Sequence, residues 1–71
     1  MERQIVRSSN IHSIGYDDEK DILEVEFHTK SVYQYLGVPA SVCKDLMGAS
    51  SKGTFLNKHI KDKYKCKKVS R

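Results

Sequence analysis

The hydrophobic pattern of this chain changes period once, at its single proline, Pro39. Before it the pattern is that of strands. Leu23, Val25 and Phe27 alternate with Glu24, Glu26 and His28, the two-residue period of a strand with one covered and one wet face. Val32-Tyr33-Gln34-Tyr35-Leu36 is rich in β-branched and aromatic residues and reads as a further strand. Thr29-Lys30-Ser31 between them reads as a hairpin loop. Ile11, Ile14 and Tyr16 precede a polar, turn-forming cluster from Asp17 to Asp21. The change of phase between Ile11 and Ile14 predicts a bulge or a late strand start. Short connections favour antiparallel neighbours.

After Pro39 the period becomes helical. Proline suits the first turn of a helix, where its missing N–H costs nothing. Val42, Leu46 and Ala49 recur at i, i+4 and i+7, with Cys43 and Met47 beside them. Ser50 or Ser51 offers a cap for a second helix, in which Leu56, Ile60 and Tyr64 recur at i, i+4 and i+8 and Phe55 widens the stripe. The predicted fold class is α+β: a three-stranded antiparallel β-meander followed by two short α-helices packed on one face.

Seventy-one residues make a single domain, 1–71, with 1–5 and 66–71 expected to fray. A chain of this size buries roughly 60% of its unfolded surface, so its core is thin. Charge sharpens the picture. Residues 1–38 carry four cations against seven carboxylates, net −3, whereas residues 39–71 carry nine against two, net +7. Such a split points to a partner with an acidic surface: RNA, or alternatively an acidic protein surface. A solvated lysine-rich end gives the same composition. Cys43 and Cys66 match no paired metal-ligand spacing and read as free thiols of a reducing, cytoplasmic protein, with no disulfide-linked partner expected. No apolar run approaches the ~18–20 residues that span a bilayer, so no membrane partner is expected.

The candidate contact residues are Tyr33, Tyr35, Lys52, Lys58, Lys61 and Lys65. Lys58, Lys61 and Lys65 recur at i, i+3 and i+7 and would form one stripe opposite the apolar face of the second helix, with Lys52, Lys67 and Lys68 at its ends. Such a stripe neutralises phosphates and releases their counterions; it is equally the surface of a soluble helix. Tyr33 and Tyr35 share one face of their strand. Exposed, they would stack unpaired bases; covered, they would be core aromatics. Hairpin register decides. A three-residue loop at 29–31 sets Phe27 opposite Tyr33 on the covered face, and a two-residue loop at 30–31 sets His28 there on the wet one.

Other motifs fail on inspection. Gly48 and Gly53 have P-loop spacing, but Thr54 stands where lysine is required and no strand precedes them. Hydroxyls and lysine at Ser50-Ser51-Lys52-Gly53 could hold a phosphate, although capping accounts for them. Asp17, Glu19 and Asp21 open like a calcium loop, but Ile22 and His28 occupy the positions of its glycine and bidentate glutamate. His12, His28 and His59 come from three segments, and none is spaced as a relay with Cys43 or a serine. No enzyme activity, metal or cofactor is expected.

Several of these residues stand in a familiar order. Ser8-Ser9-Asn10-Ile11 leads to Gly15-Tyr16-Asp17; Tyr33-Gln34-Tyr35 is followed by Val38-Pro39; Ala49-Ser50-Ser51-Lys52-Gly53 runs into Phe55-Leu56-Asn57 and Ile60. The order resembles the KTSC family, small domains found alone in bacteria and at the C-terminus of some lysyl-tRNA synthetases. The likeness covers residues 6–69, and its most specific element is the Tyr-x-Tyr motif at Tyr33 and Tyr35. It implies an uncharacterised binding domain, with RNA suggested by attachment to a tRNA-handling enzyme. One departure is visible: the hairpin loop has Lys30-Ser31 where the family pattern implies a glycine.

Overall fold

A computed structural model describes residues 3–69. The elements in order are β1 (Arg3–Ile5), β2 (Ile11–Asp17), β3 (Ile22–Phe27), β4 (Val32–Leu36), α1 (Ala40–Gly48), α2 (Lys52–Phe55) running directly into a π-helical stretch (Leu56–Ile60), and β5 (Lys65–Lys68). The strands form one antiparallel sheet in the order β1-β2-β3-β4-β5. The expected α+β class holds, but the three-stranded meander does not: the sheet has five strands. Segments expected to fray supply the extra two. β1 pairs Arg3–Ile5 with Gly15–Ser13, and β5 pairs Lys65–Lys68 with Leu36–Tyr33. The physical reason lies in the backbone. A lone meander leaves two rows of unpaired N–H and C=O groups at its edges, and neighbouring chain of almost any composition can satisfy them.

The helices cover one face. Ile11, Ile14, Leu23, Val25 and Tyr35 from the sheet meet Val38, Leu46, Leu56 and Ile60, all buried. Each fully buried aliphatic side chain contributes roughly 1.5–3 kcal/mol. The phase change in β2 is a bulge, with the register shifting between Ile11 and Ser13, so both Ile11 and Ile14 face inward although three apart. Pro39 caps α1, its carbonyl accepting from the Val42 and Cys43 N–H groups at 3.0 and 3.2 Å. Ser51 caps α2, accepting from the Thr54 N–H.

The second helix ends earlier than its apolar stripe suggests. Leu56 and Ile60 are buried as expected, but the Lys61 N–H donates to the Leu56 carbonyl at 2.8 Å, an i to i+5 bond that widens the last turn. The chain then turns through 61–63 and enters β5. Lys65 therefore lies on a strand, and the expected helical stripe of Lys58, Lys61 and Lys65 does not exist as such.

The β3–β4 hairpin settles the face of the tyrosines. The Phe27 N–H donates to the Ser31 carbonyl and the Lys30 N–H to the Phe27 carbonyl, both at 2.9 Å. Val25 then pairs with Tyr33 and Leu23 with Tyr35. This is two residues from the register of the longer loop, and a shift of two preserves the face. Lys30 sits at φ +73, the left-handed region that glycine adopts at no steric cost. Lys30 thus carries the left-handed conformation that this hairpin loop requires.

Candidate nucleic-acid interface

The two faces of the sheet carry different chemistry. On the open face one row crosses all five strands: Arg3, Gly15, Glu24, Gln34, Lys67. The Glu24 side chain is nearly buried and accepts from the Arg3 guanidinium and, at 2.8 Å, from the Gln34 amide. Arg3 also reaches Glu26 at 3.0 Å, and Ser13 donates weakly to the same carboxylate. The strand carboxylates are thus occupied by the cation of β1. The Asp17 carboxylate turns onto the Glu19 and Lys20 N–H groups of its own turn. Neither set reaches across the sheet to the lysines of the other end.

On the covered face the same strands lead to an aromatic hollow of about 290 Å³ at the β4–β5 edge, lined by Phe27, Tyr33, Tyr35, Leu56, Asn57, Lys61 and Cys66. Phe27 and Tyr33 meet edge to face, with centroids 5.8 Å apart and planes at 78°. The two tyrosines differ. Tyr35 is 3% exposed and belongs to the core, and burial first, then the neighbouring Cys66 and Tyr33, pushes its hydroxyl up to about 12. Tyr33 is partly exposed at the wall of the hollow. The pair does not form an open two-ring platform, because the helix side of the sheet is covered at Tyr35.

The expected lysines separate as well. Lys61 lines the hollow; Lys58 is exposed a turn earlier and does not line it; Lys65 lies across from Leu36 at the sheet edge. Lys52 turns away, its ammonium donating to the Ala49 carbonyl at 3.2 Å beside a separate recess lined by Arg7 and by Ser8, Ser9, Ser50 and Ser51. The Ser8 hydroxyl accepts from the Asn10 and Ile11 N–H groups, and that of Ser51 bonds Thr54, so these serines act as caps. Gly53 explains why the two serine segments meet. A Cβ there would lie 3.3 Å from the Asn10 side chain, so glycine permits the close approach.

Sequence reasoning set Lys67 and Lys68 at the end of the helical lysine stripe, and the structure puts them on a strand instead. They pair across from Gln34 and Tyr33, which brings the lysine-rich end alongside the Tyr-x-Tyr strand. Sequence reasoning missed Asn57 and Cys66 as neighbours of Tyr33, whereas Phe27 is the neighbour expected for the covered-face register. A signal existed: Tyr64 and Cys66 alternate with Lys65 and Lys67, a strand period hidden in what reads as a solvated tail. From 58 to 68 the chain carries six lysines against one aspartate, and none of the six pairs with a carboxylate among the described residues.

Among the described residues no group of histidines, cysteines and carboxylates could hold a metal ion, and no helix is long and apolar enough to cross a membrane. Cys43 and Cys66 are free thiols; burial raises the Cys43 thiol above its ordinary value. Tyr16 is likewise raised, by burial first and then by Asp21, and donates to the Val38 carbonyl at 2.6 Å.

Residues 7–64 match the family model described as the KTSC domain. The crystal structure of a KTSC domain protein from Yersinia pestis superposes with a TM-score of 0.94 at 46% identity, covering 97% of each chain. An uncharacterized protein of Stutzerimonas stutzeri is 41% identical over 64 residues, 90% of both chains. A lysine–tRNA ligase of Nostoc punctiforme is 44% identical over 62 residues, which are 87% of this chain and 11% of the ligase.

Proposed function

This chain belongs to the KTSC domain family, and on that footing we propose that it is an accessory domain that binds RNA along its β5 edge. The observation that carries the reading is the pairing of β5 with the Tyr-x-Tyr strand. It sets Lys68 across from Tyr33 on the face of the aromatic hollow and Lys67 across from Gln34 on the open face, both on the edge that Lys61 borders. Cations spaced along an edge follow a phosphate backbone, and an aromatic wall next to them receives bases. A related domain within a lysine–tRNA ligase agrees with an RNA partner. The two free thiols suit a reducing cytoplasm. Of the residues expected from sequence, Lys61, Lys65 and Tyr33 remain in this role, with Lys58 as an outlying cation. Tyr35 supports Tyr33 from the core, and Lys52 stands apart.

Titration of the chain into a fluorescently labelled single-stranded RNA, read by anisotropy at rising salt, tests the proposal. Binding at low salt that weakens steeply as salt rises is expected. No binding at low salt, or binding indifferent to salt, refutes it.

A second reading has its own observation. Ile5 is 75% exposed on the outer strand β1, where it shares the open face with the partly exposed Leu36. An outer strand and an apolar side chain there suit a protein partner, and the domain would then be a protein-interaction module without nucleic-acid binding. Chemical shifts confined to β1 on adding a protein partner, with the lysines indifferent to RNA, would favour it.

A further inference from the structure

We infer that the hollow walled by Phe27, Tyr33, Tyr35 and Leu56 is a pocket for a single unpaired nucleobase, with Asn57 and Lys61 at its polar rim. The inference rests on the RNA reading and deepens it, from a basic edge that follows phosphates to a site that requires an unstacked base.

Size comes first. At about 290 Å³ the hollow is at the small end of ligand pockets, which suits one flat heterocycle and excludes a duplex. Its walls come next. Phe27 and Tyr33 lock each other edge to face, so the Tyr33 ring holds its orientation before any ligand arrives. Tyr35 is fixed in the core beneath it. Stacking on a ring already held loses little side-chain entropy.

The rim supplies the polar contacts. Asn57 and Lys61 are four residues apart, Asn57 within the π-helical turn and Lys61 at its end, where its N–H closes the turn on the Leu56 carbonyl. Both line the hollow. π-turns recur at functional sites because they re-aim side chains. The Asn57 amide has a donor and an acceptor for the edge of a base. Lys61, with Lys68 across from Tyr33 on the same face of the sheet, supplies the charge for the flanking phosphates. An apolar side chain of a protein would fill the walls but leave this charge unanswered.

Cys66 gives a direct probe, since it is exposed and lines the hollow, whereas Cys43 is partly buried elsewhere and serves as an internal control. The experiment measures alkylation of the intact chain by iodoacetamide with and without a short single-stranded RNA. It is paired with anisotropy titrations of the same strand, of its duplex, and of the strand with Tyr33→Phe and Tyr33→Ser. Occupancy of the hollow slows Cys66 alkylation about tenfold at RNA ten times above its dissociation constant and leaves Cys43 unchanged. The single strand binds more tightly than the duplex. Tyr33→Phe retains affinity, and Tyr33→Ser loses about tenfold or more. If the RNA binds with a normal salt dependence while Cys66 alkylates at its free rate and Tyr33→Ser binds as well as the parent, the pocket is refuted and the RNA reading stands. If no RNA binds at low salt, both are refuted. Since the protection assay uses the unmodified protein, a folding defect in Tyr33→Ser does not remove the test.

Discussion

The two outer strands of this sheet both bring cations to a β-edge, and they do opposite things with them. At β1, Arg3 lies over the open face and is consumed by Glu24 and Glu26, with Gln34 completing the Glu24 contacts. At β5, Lys65, Lys67 and Lys68 have no carboxylate partner among the described residues; Lys68 lies on the face of the aromatic hollow, and Lys65 and Lys67 lie on the open face of the same edge. A guanidinium held by two strand carboxylates fixes the register of β1 on β2 and β3. Ammonium groups on long stems, left in water, discourage strand-to-strand aggregation and remain available to a polyanion. Charge alone therefore does not identify a binding surface; what each charge already touches does.

The largest expected effect comes from emptying the structural edge. Glu24→Ala removes the acceptor shared by Arg3 and Gln34 in a nearly buried position. It should cost about 2 kcal/mol in urea unfolding, while RNA affinity under native conditions is unchanged. The converse change acts on the other edge. Lys67→Glu combined with Lys68→Glu should weaken RNA binding about tenfold or more and leave the urea midpoint where it was. Equal effects of the two variants on both readouts would erase the contrast between the edges.

Alkali should loosen the β4–β5 side. The Tyr35 hydroxyl has an ordinary value of 10.0 and is pushed up to about 12 in the folded chain. The unfolded chain then ionises first. The stability held by the protonated, buried ring is complete below pH 10 and is lost as the pH rises towards 12. Tyr35→Phe should flatten that part of the profile, measured as the urea midpoint against pH. The smallest effect belongs to the hairpin, away from either edge. Lys30→Gly relieves a left-handed residue but loosens the unfolded chain, for a net gain of about 0.5 kcal/mol.

Much of the middle of the molecule was legible in the sequence. The alternation through Leu23, Val25 and Phe27, the bulge implied by Ile11 and Ile14, the cap at Ser51 and the stripe of Leu56 and Ile60 follow from local periodicity and capping chemistry. The edges were not. Arg3–Ile5 is too short to show a period, and Lys65–Lys68 has a composition that reads as solvated. Both become strands because the sheet offers them backbone partners, which no local pattern records. The candidate site inherited that error. Lys58, Lys61 and Lys65 follow one helical stripe only if the helix continues, and the π-turn at Leu56–Ile60 ends it. The approach of Lys67 and Lys68 to Tyr33 depends on the long-range pairing of β4 with β5. The lysine in the hairpin loop was visible from the start, and only its φ of +73 shows that the position is one glycine adopts at no steric cost.

The contrast between the edges is tested most directly by two-dimensional NMR of the isotope-labelled chain as single-stranded RNA is added at low salt. Shifts should concentrate at Tyr33, Asn57, Lys61, Cys66, Lys67 and Lys68, with Arg3, Gln4, Ile5 and Gly15 unmoved. Shifts gathered on β1 and its neighbours, with the β5 edge silent, would contradict the account.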